Sequence, residues 1–76
     1  MDDLIVSDPE VMLGKPVIRG TRVTVESILE RLGAGESEAD LAASHPRVDA
    51  AAIRACLRYA ARAMHAEISY PYSARS

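Results

Sequence analysis

The residues best suited to chemistry in this sequence lie at regular spacing near its end: Arg54, Arg58, Arg62 and His65. At about 100° per residue they fall on one stripe of a helix. Such a cationic stripe can hold nucleic-acid phosphates, and Arg47, just before the helix, could reach bases or backbone together with Arg54. The alternative is a solvated helix face whose arginines pair with acids elsewhere in the chain. The spacing alone leaves both interpretations open.

The arginine stripe belongs to the last of three predicted helices. These helices cover residues 25–32, 38–44 and 50 to about 67 or 68. Thr24, Ser37 and Asp49 are the expected N-caps, because their side-chain oxygens can accept from an unpaired N–H of the first turn. His45-Pro46 should end the second helix, since the residue before a proline is pushed out of the α region. Helix, short turn, longer helix is the order of a helix-turn-helix, with the first helix as its support.

The third helix also carries two apolar surfaces. One is a stripe of mostly large side chains, expected to pack on the first two helices: Ile53, Leu57, Ala60, Met64 and Ile68. The other surface is rich in alanine, is shared with Tyr59 and could accept another helix: Ala52, Ala55, Ala63 and Ala66. Cys56 lies between the two and is expected to pack. The start of this helix, residues 49–52, is poor in side chains that read base edges.

A β-like arm precedes the helices. Residues 4–6 and 16–18 are expected to be short strands that pair, and 11–13 a helical turn tucked beneath them. The arm contains a basic cluster of Lys15, Arg19 and Arg22, which either contacts phosphate or an acidic partner or protects a strand edge by charge. We also expect the arm to pair with a second copy of the chain. The candidate arm and dimer residues are Val17, Ile18, Arg19, Arg22 and Val23.

Composition narrows the class of protein. A chain of 76 residues makes one domain, here residues 1–68 with a tail at 69–76. Its core lacks Trp and Phe, which favours a homodimer or folding against a partner. The net charge of −2 leaves local charge patterning as the basis for any binding to DNA. One cysteine, no signal peptide and no membrane span are typical of a cytoplasmic protein.

Catalytic patterns are not evident in the sequence. No Ser-His-Asp or Cys-His set is suggested, and Gly14-Lys15 lacks the glycine spacing and the Ser or Thr of a phosphate loop. His45 is expected at a helix end, far from His65, with no further ligands for zinc. The sequence therefore predicts a protein that is not an enzyme and that needs no metal or cofactor.

One stretch resembles a known signature. Residues 14–25 (GKPVIRGTRVTV), followed by Ile28-Leu29, are similar to the motif of a large family of small bacterial and archaeal proteins. This family is catalogued as domain of unknown function four-three-three (DUF433). Gly35, the helix that starts at Ser37, the His45-Pro46 stop and residues 49–60 extend the resemblance. It covers roughly residues 5–63.

The resemblance implies a mainly-α fold: a homeodomain-like three-helix helix-turn-helix preceded by a small β arm or hairpin. It also implies a VapB-like antitoxin of a type II toxin–antitoxin pair, commonly encoded beside a PIN-like ribonuclease toxin. Such antitoxins usually bind the toxin and the operator DNA of their own operon. The candidate DNA contacts are the arginines of the turn and the third helix: Arg47, Arg54 and Arg58. The candidate toxin contacts lie from the last helical turns onward: Arg62, His65, Tyr70 and Tyr72.

A different class of function stays open beside this one. In it the chain is a protein-interaction or regulatory module, the arginines form a soluble face, and DNA plays no part.

Overall fold

The computed structural model describes residues 4–67. In that part of the chain the order of elements is two short strands, separated by a 3-10 turn, and then three helices. These are β1 (Ile5–Val6), the turn Met12–Gly14, β2 (Val17–Ile18), α1 (Val25–Gly33), α2 (Glu38–Ser44) and α3 (Ala50–Glu67). The predicted mainly-α fold with three helices and a small β arm is confirmed. The predicted tail, residues 69–76, lies outside the described residues.

The two strands form an antiparallel pair, as predicted. Ile5 lies opposite Ile18 and Val6 opposite Val17. The chain then turns back on β2, because Thr24 bridges to Val17 and the Ile18 N–H donates to the Val23 carbonyl over 2.9 Å. The arm is therefore three short extended pieces that share β2 as the middle one.

Helix α1 begins where this returning piece ends. The Thr24 hydroxyl accepts from the Ser27 N–H at 3.0 Å and so caps the helix, as predicted. The Val25 N–H, which can have no acceptor inside the helix, donates to the Pro16 carbonyl at 3.0 Å. The start of α1 is thus held by its own cap and by the arm.

Both ends of helix α2 are set by residues at its termini. Ser37 and Asp40 form a capping box, in which each side chain accepts from the other residue's N–H. The hydrogen bond from the Ser37 N–H lowers the pKa of Asp40 below its usual range. His45 leaves the helix with φ −132° ahead of Pro46. Both predicted ends of α2 are confirmed.

The turn at Met12–Gly14 differs from its prediction. Met12 and Leu13 have φ of 50° and 59°, the left-handed region, which costs a non-glycine residue roughly 1–2 kcal/mol. Leu13 is 93% exposed, so the prediction that this turn tucks beneath the sheet is wrong. The physical reason is the handedness of the turn: it closes through the Lys15 N–H on the Met12 carbonyl, and its apolar side chains lie at the surface.

The core lies between the three helices and the arm. Its largest fully buried side chains come from α1, α2, α3, β2 and the segment before α3: Ile28, Leu41, Ile53, Val17 and Val48. Ile5, Ile18 and Val25 join them, and Leu29, Leu32 and Tyr59 pack at the margin. Aliphatic side chains and alanines therefore make the core, as the composition predicts.

Helix α3 turns a different face to this core than the periodicity predicts. Ala52, Ala55 and Cys56 are buried together with Ile53, whereas Leu57 is 47% and Met64 49% exposed. The prediction that Leu57 and Met64 pack on the first two helices is wrong. Small side chains let the backbone of α3 approach α1 and β1 closely. The stripe of larger side chains that contains Leu57 and Met64 therefore stays at the surface.

Two substitutions on α3 test this assignment. Ile53→Ala should lower the free energy of unfolding by about 2–5 kcal/mol, because it leaves a cavity in a fully buried site. Leu57→Ala should cost no more than about 1 kcal/mol, because that side chain is half exposed. Urea unfolding followed by circular dichroism measures both. Equal losses would mean that Leu57 belongs to the core after all.

Candidate protein and nucleic-acid interface

The exposed side of α3 gathers most of the predicted site residues. The helix starts beside Asp49, whose Oδ1 accepts from the Ala52 N–H at 2.9 Å. Burial of the alanine side then leaves a continuous surface, which we call the α3 outer face. It consists of Arg54, Leu57, Arg58, Ala61, Arg62, Met64 and His65, all exposed. Four of the predicted DNA and toxin contacts, Arg54, Arg58, Arg62 and His65, therefore share one face.

The α3 outer face combines cations with apolar side chains. Leu57, Ala61 and Met64 fall within about 60° of each other around the helix axis. Arg54 points in nearly the same direction as Ala61, about two turns earlier. The sequence has no acidic residue between Asp49 and Glu67, so α3 itself places no carboxylate within this face. The face is therefore both positive and partly apolar, which the prediction of a purely cationic stripe missed.

Arg47, the remaining predicted DNA contact, lies against the arm. Its guanidinium occupies the space beside Gly20, where a Cβ would stand 2.9 Å from Nη2. Gly20 has φ +77° and lies in the turn that runs from Ile18 to Thr21. The Thr21 hydroxyl holds this turn by donating to the Ile18 carbonyl at 2.7 Å. The glycine of the motif thus provides both the turn and the room for Arg47.

The predicted arm and dimer residues divide into two groups. Val17 and Ile18 are 2% and 3% exposed, and Val23 packs on the core, so these side chains serve the fold of this chain. Arg19 and Arg22 are exposed. Of these five predicted residues, the two arginines are the ones whose side chains are exposed enough to meet a second copy.

The predicted basic cluster of the arm is divided by an ion pair. Lys15 Nζ lies 3.1 Å from Glu26 Oε1 on α1, which draws this cation toward the helix. Lys15 therefore contributes to the attachment of the arm on α1. The two arginines, Arg19 and Arg22, remain as the exposed cations of the arm.

A second ion pair joins the end of α1 to the connection before α2, and its arginine also reaches the end of α2. Arg31 Nη2 lies 2.7 Å from Glu36 Oε1 and donates also to Ser44 Oγ at 2.9 Å. The hydrogen bonds to Glu36 raise the pKa of Arg31 above its usual value. This arginine is therefore a structural cation.

Formal charge is segregated along the chain. Residues 23–44 contain five acidic side chains and one basic one, whereas residues 45–66 contain four arginines and a single acid, Asp49. The charge balance of −2 thus conceals a positive segment that includes the α3 outer face. The chain therefore contains the local concentration of positive charge on which any binding to DNA would depend.

Sequence reasoning missed an open groove of about 420 Å³ beside the arm. We call it the arm groove; its lining residues are Val6, Asp8, Val11, Val17, Gly20, Thr21 and Arg22. The available signal was the alternation of apolar and turn residues in 6–11, which marks a loop but cannot show that it folds against β2.

Tyr70, Tyr72 and Ile68 lie outside the described residues. Between residues 4 and 67 no group of three or more His, Cys, Asp or Glu side chains could hold a metal ion. In the same range no helix has both the length and the apolar composition to cross a membrane.

The left-handed backbone of Gly20 predicts how a substitution in this turn changes the free energy of unfolding. Gly20→Ala should lower the free energy of unfolding by about 1–2 kcal/mol, because alanine is strained at φ +77°. The loss should be nearly the same in an Arg47→Ala background, since the guanidinium ends a flexible side chain that can swing away. Gly33→Ala is the control: it meets nothing within 4 Å and should be neutral or stabilising by up to about 1 kcal/mol. Thermal or urea unfolding that gives both glycine variants the same stability would contradict this account.

Known proteins resemble this chain in sequence and in structure. An uncharacterized protein of Sinorhizobium fredii, y4eO, is 36% identical over 58 residues, which are 76% of this chain and 26% of that protein. The crystal structure of a DUF433 member from Anabaena variabilis superposes with a TM-score of 0.78 at 25% identity, covering 86% of this chain and 64% of that one. This chain thus spans about a quarter of the first relative and somewhat under two thirds of the second.

The family model described as "Protein of unknown function (DUF433)" matches residues 5–60, nearly the whole of the arm, α1, α2 and the first half of α3. The resemblance that the motif at 14–25 indicates is therefore confirmed, and this chain belongs to the DUF433 family.

Proposed function

We propose that this chain is the non-catalytic antitoxin of a type II toxin–antitoxin pair in the cytoplasm, and that its α3 outer face holds a PIN-like ribonuclease. The observation that carries the proposal is the make-up of that face. Leu57 and Met64 are half exposed among arginines, without an intervening carboxylate. Protein interfaces are enriched in Met and Arg and depleted in Glu and Asp, and exposed apolar patches often mark them.

Charge complementarity favours this type of partner. A PIN-like ribonuclease gathers carboxylates at its active site, and a cationic face steers toward such a surface and limits binding to other partners. Arg54 and Arg62 are exposed and lie two helical turns apart, so they could flank an acidic cleft. Membership of the family supports the same partner, since the resemblance implies a gene commonly placed beside such a nuclease.

The chemistry of the described residues supports a role without catalysis. Cys56, the one cysteine of the chain, is fully buried, and no substrate could reach it. The perturbed pKa values of Arg31 and Asp40 both come from contacts that hold helix ends. Perturbed groups that serve structure in this way are not candidates for acid–base work.

Binding to operator DNA is a second candidate function. It is supported by the order of α2, a five-residue connection and α3, which is that of a helix-turn-helix, and by the exposed Arg54 and Arg58. The exposed residues at the start of α3 are Asp49, Ala50 and Ala51, which offer a negative charge and two methyl groups. Contacts from this helix would therefore be to phosphates, with little reading of base edges.

The toxin proposal is tested with the product of the neighbouring open reading frame. Leu57→Asp should weaken the complex by at least about tenfold, because it adds a like charge to that of the acidic partner and removes an apolar contact. Isothermal titration and relief of ribonuclease inhibition measure the effect. Ala39→Asp, the same added charge on the exposed first turn of α2, should leave binding unchanged. A Leu57→Asp chain that binds like the wild type would contradict the proposal, as would a neighbouring frame without a PIN-like nuclease.

The DNA proposal is tested by the salt dependence of binding to the upstream promoter. Replacing Arg54 and Arg58 by Ala should flatten the slope of log K against log salt by about two, because each phosphate contact contributes about 0.9. Lys15→Ala, which removes a cation already paired with Glu26, is the control and should leave the slope unchanged. An electrophoretic shift that is absent with and without the toxin would favour the interaction module that does not bind DNA.

A further inference from the structure

We propose that a second copy of this chain docks on the β arm, with Leu13 of each copy inserted into the arm groove of the other. The interface uses side chains separate from the α3 outer face, so it does not depend on the toxin proposal. Through this interface the arm would form the homodimer that the lack of Trp and Phe in the core favours.

Leu13 is the projecting element of this interface. It is 93% exposed, and its neighbour Met12 is 41% exposed. Both residues have the left-handed backbone that large side chains rarely adopt. Burial within the chain gives Leu13 almost nothing to offset this strain, and strained backbone of this kind clusters at functional sites such as ligand clamps.

The arm groove is the receiving element. Val6 and Val11, which are partly buried, provide its accessible apolar surface, and the buried Val17 lies behind them. Its volume of about 420 Å³ leaves room for a leucine side chain. Val11 is two residues from Leu13, which puts the projection and the groove on the same loop.

The rim of the groove identifies the occupant as a second copy. Asp8 and Arg22 both line the groove, yet neither forms an ion pair with the other or with any residue from 4 to 67. In the proposed dimer a two-fold axis pairs Asp8 of one copy with Arg22 of the other, and the symmetry repeats this contact once more. The surface is therefore complementary to itself in charge, as well as in the pairing of projection with groove.

The charge contact is tested by exchanging the two charges between copies. Arg22→Glu alone and Asp8→Lys alone should each give monomers in sedimentation velocity, since each homodimer would carry two like-charge pairs. An equimolar mixture of the two variants should form a dimer again, because both contacts across the interface then join opposite charges. Folding of each variant is checked by circular dichroism, and recovery in the mixture shows that the contact lies between copies. A mixture that stays monomeric overturns the proposal.

The apolar contact is tested with Leu13→Asn, since asparagine tolerates the left-handed backbone and removes the projection. The dimer dissociation constant should rise at least about tenfold. The Leu57→Asp chain should keep the dimer, which separates this interface from the toxin surface on α3. A wild-type chain that is monomeric at every concentration overturns the proposal, and so does a dimer that is lost with Leu57→Asp and kept with Leu13→Asn.

Discussion

The hydrogen bond from the Val25 N–H to the Pro16 carbonyl joins the two kinds of structure in this chain. The first N–H groups of a helix have no acceptor within it, and burying one without a partner costs roughly 1–3 kcal/mol. Val25 is 3% exposed, so its N–H needs this acceptor. Strand β2 therefore has to lie beside the start of α1. The direction of α1, and with it the position of Ile28 in the core, follows from that contact.

The same hydrogen bond fixes where the chain turns between β2 and the extended segment that leads into α1. Because Pro16 meets Val25 and Ile18 meets Val23, the chain must reverse within a few residues, and Gly20 provides the backbone that a side chain would strain. The guanidinium of Arg47 then lies beside that glycine. The motif by which the family is recognised is thus a scaffold that connects the arm, α1 and the segment before α3.

Of the two surfaces available for binding, the α3 outer face lies outside that scaffold, whereas the arm groove is partly lined by it. The α3 outer face follows from a helix that buries its alanine side and so leaves Leu57 beside Arg54 and Arg58 in solvent. The arm groove follows from a loop that closes on β2 with Leu13 projecting. The α3 outer face carries cations and apolar side chains, whereas the arm groove is lined by one acid and one base, Asp8 and Arg22. These differences are the basis for proposing an acidic partner for the first and a second copy for the other.

The sequence by itself determined the elements and their ends. Thr24, Ser37 and His45-Pro46 mark helix ends because caps and proline act on backbone groups within three or four residues. The pairing of β1 with β2 was also predictable from two short apolar runs around a turn. The glycine, the cap and the helix of the motif at 14–25 identified the family.

Tertiary structure alone decided which side of α3 is covered. Periodicity defines stripes on a helix, but the neighbours choose among them, and here close approach to α1 and β1 favoured Ala55 and Cys56 over Leu57. The left-handed turn at Leu13 and the contact of Arg47 with Gly20 were equally beyond prediction. Both depend on residues brought together by the closed fold, and sequence patterns report only on neighbours along the chain.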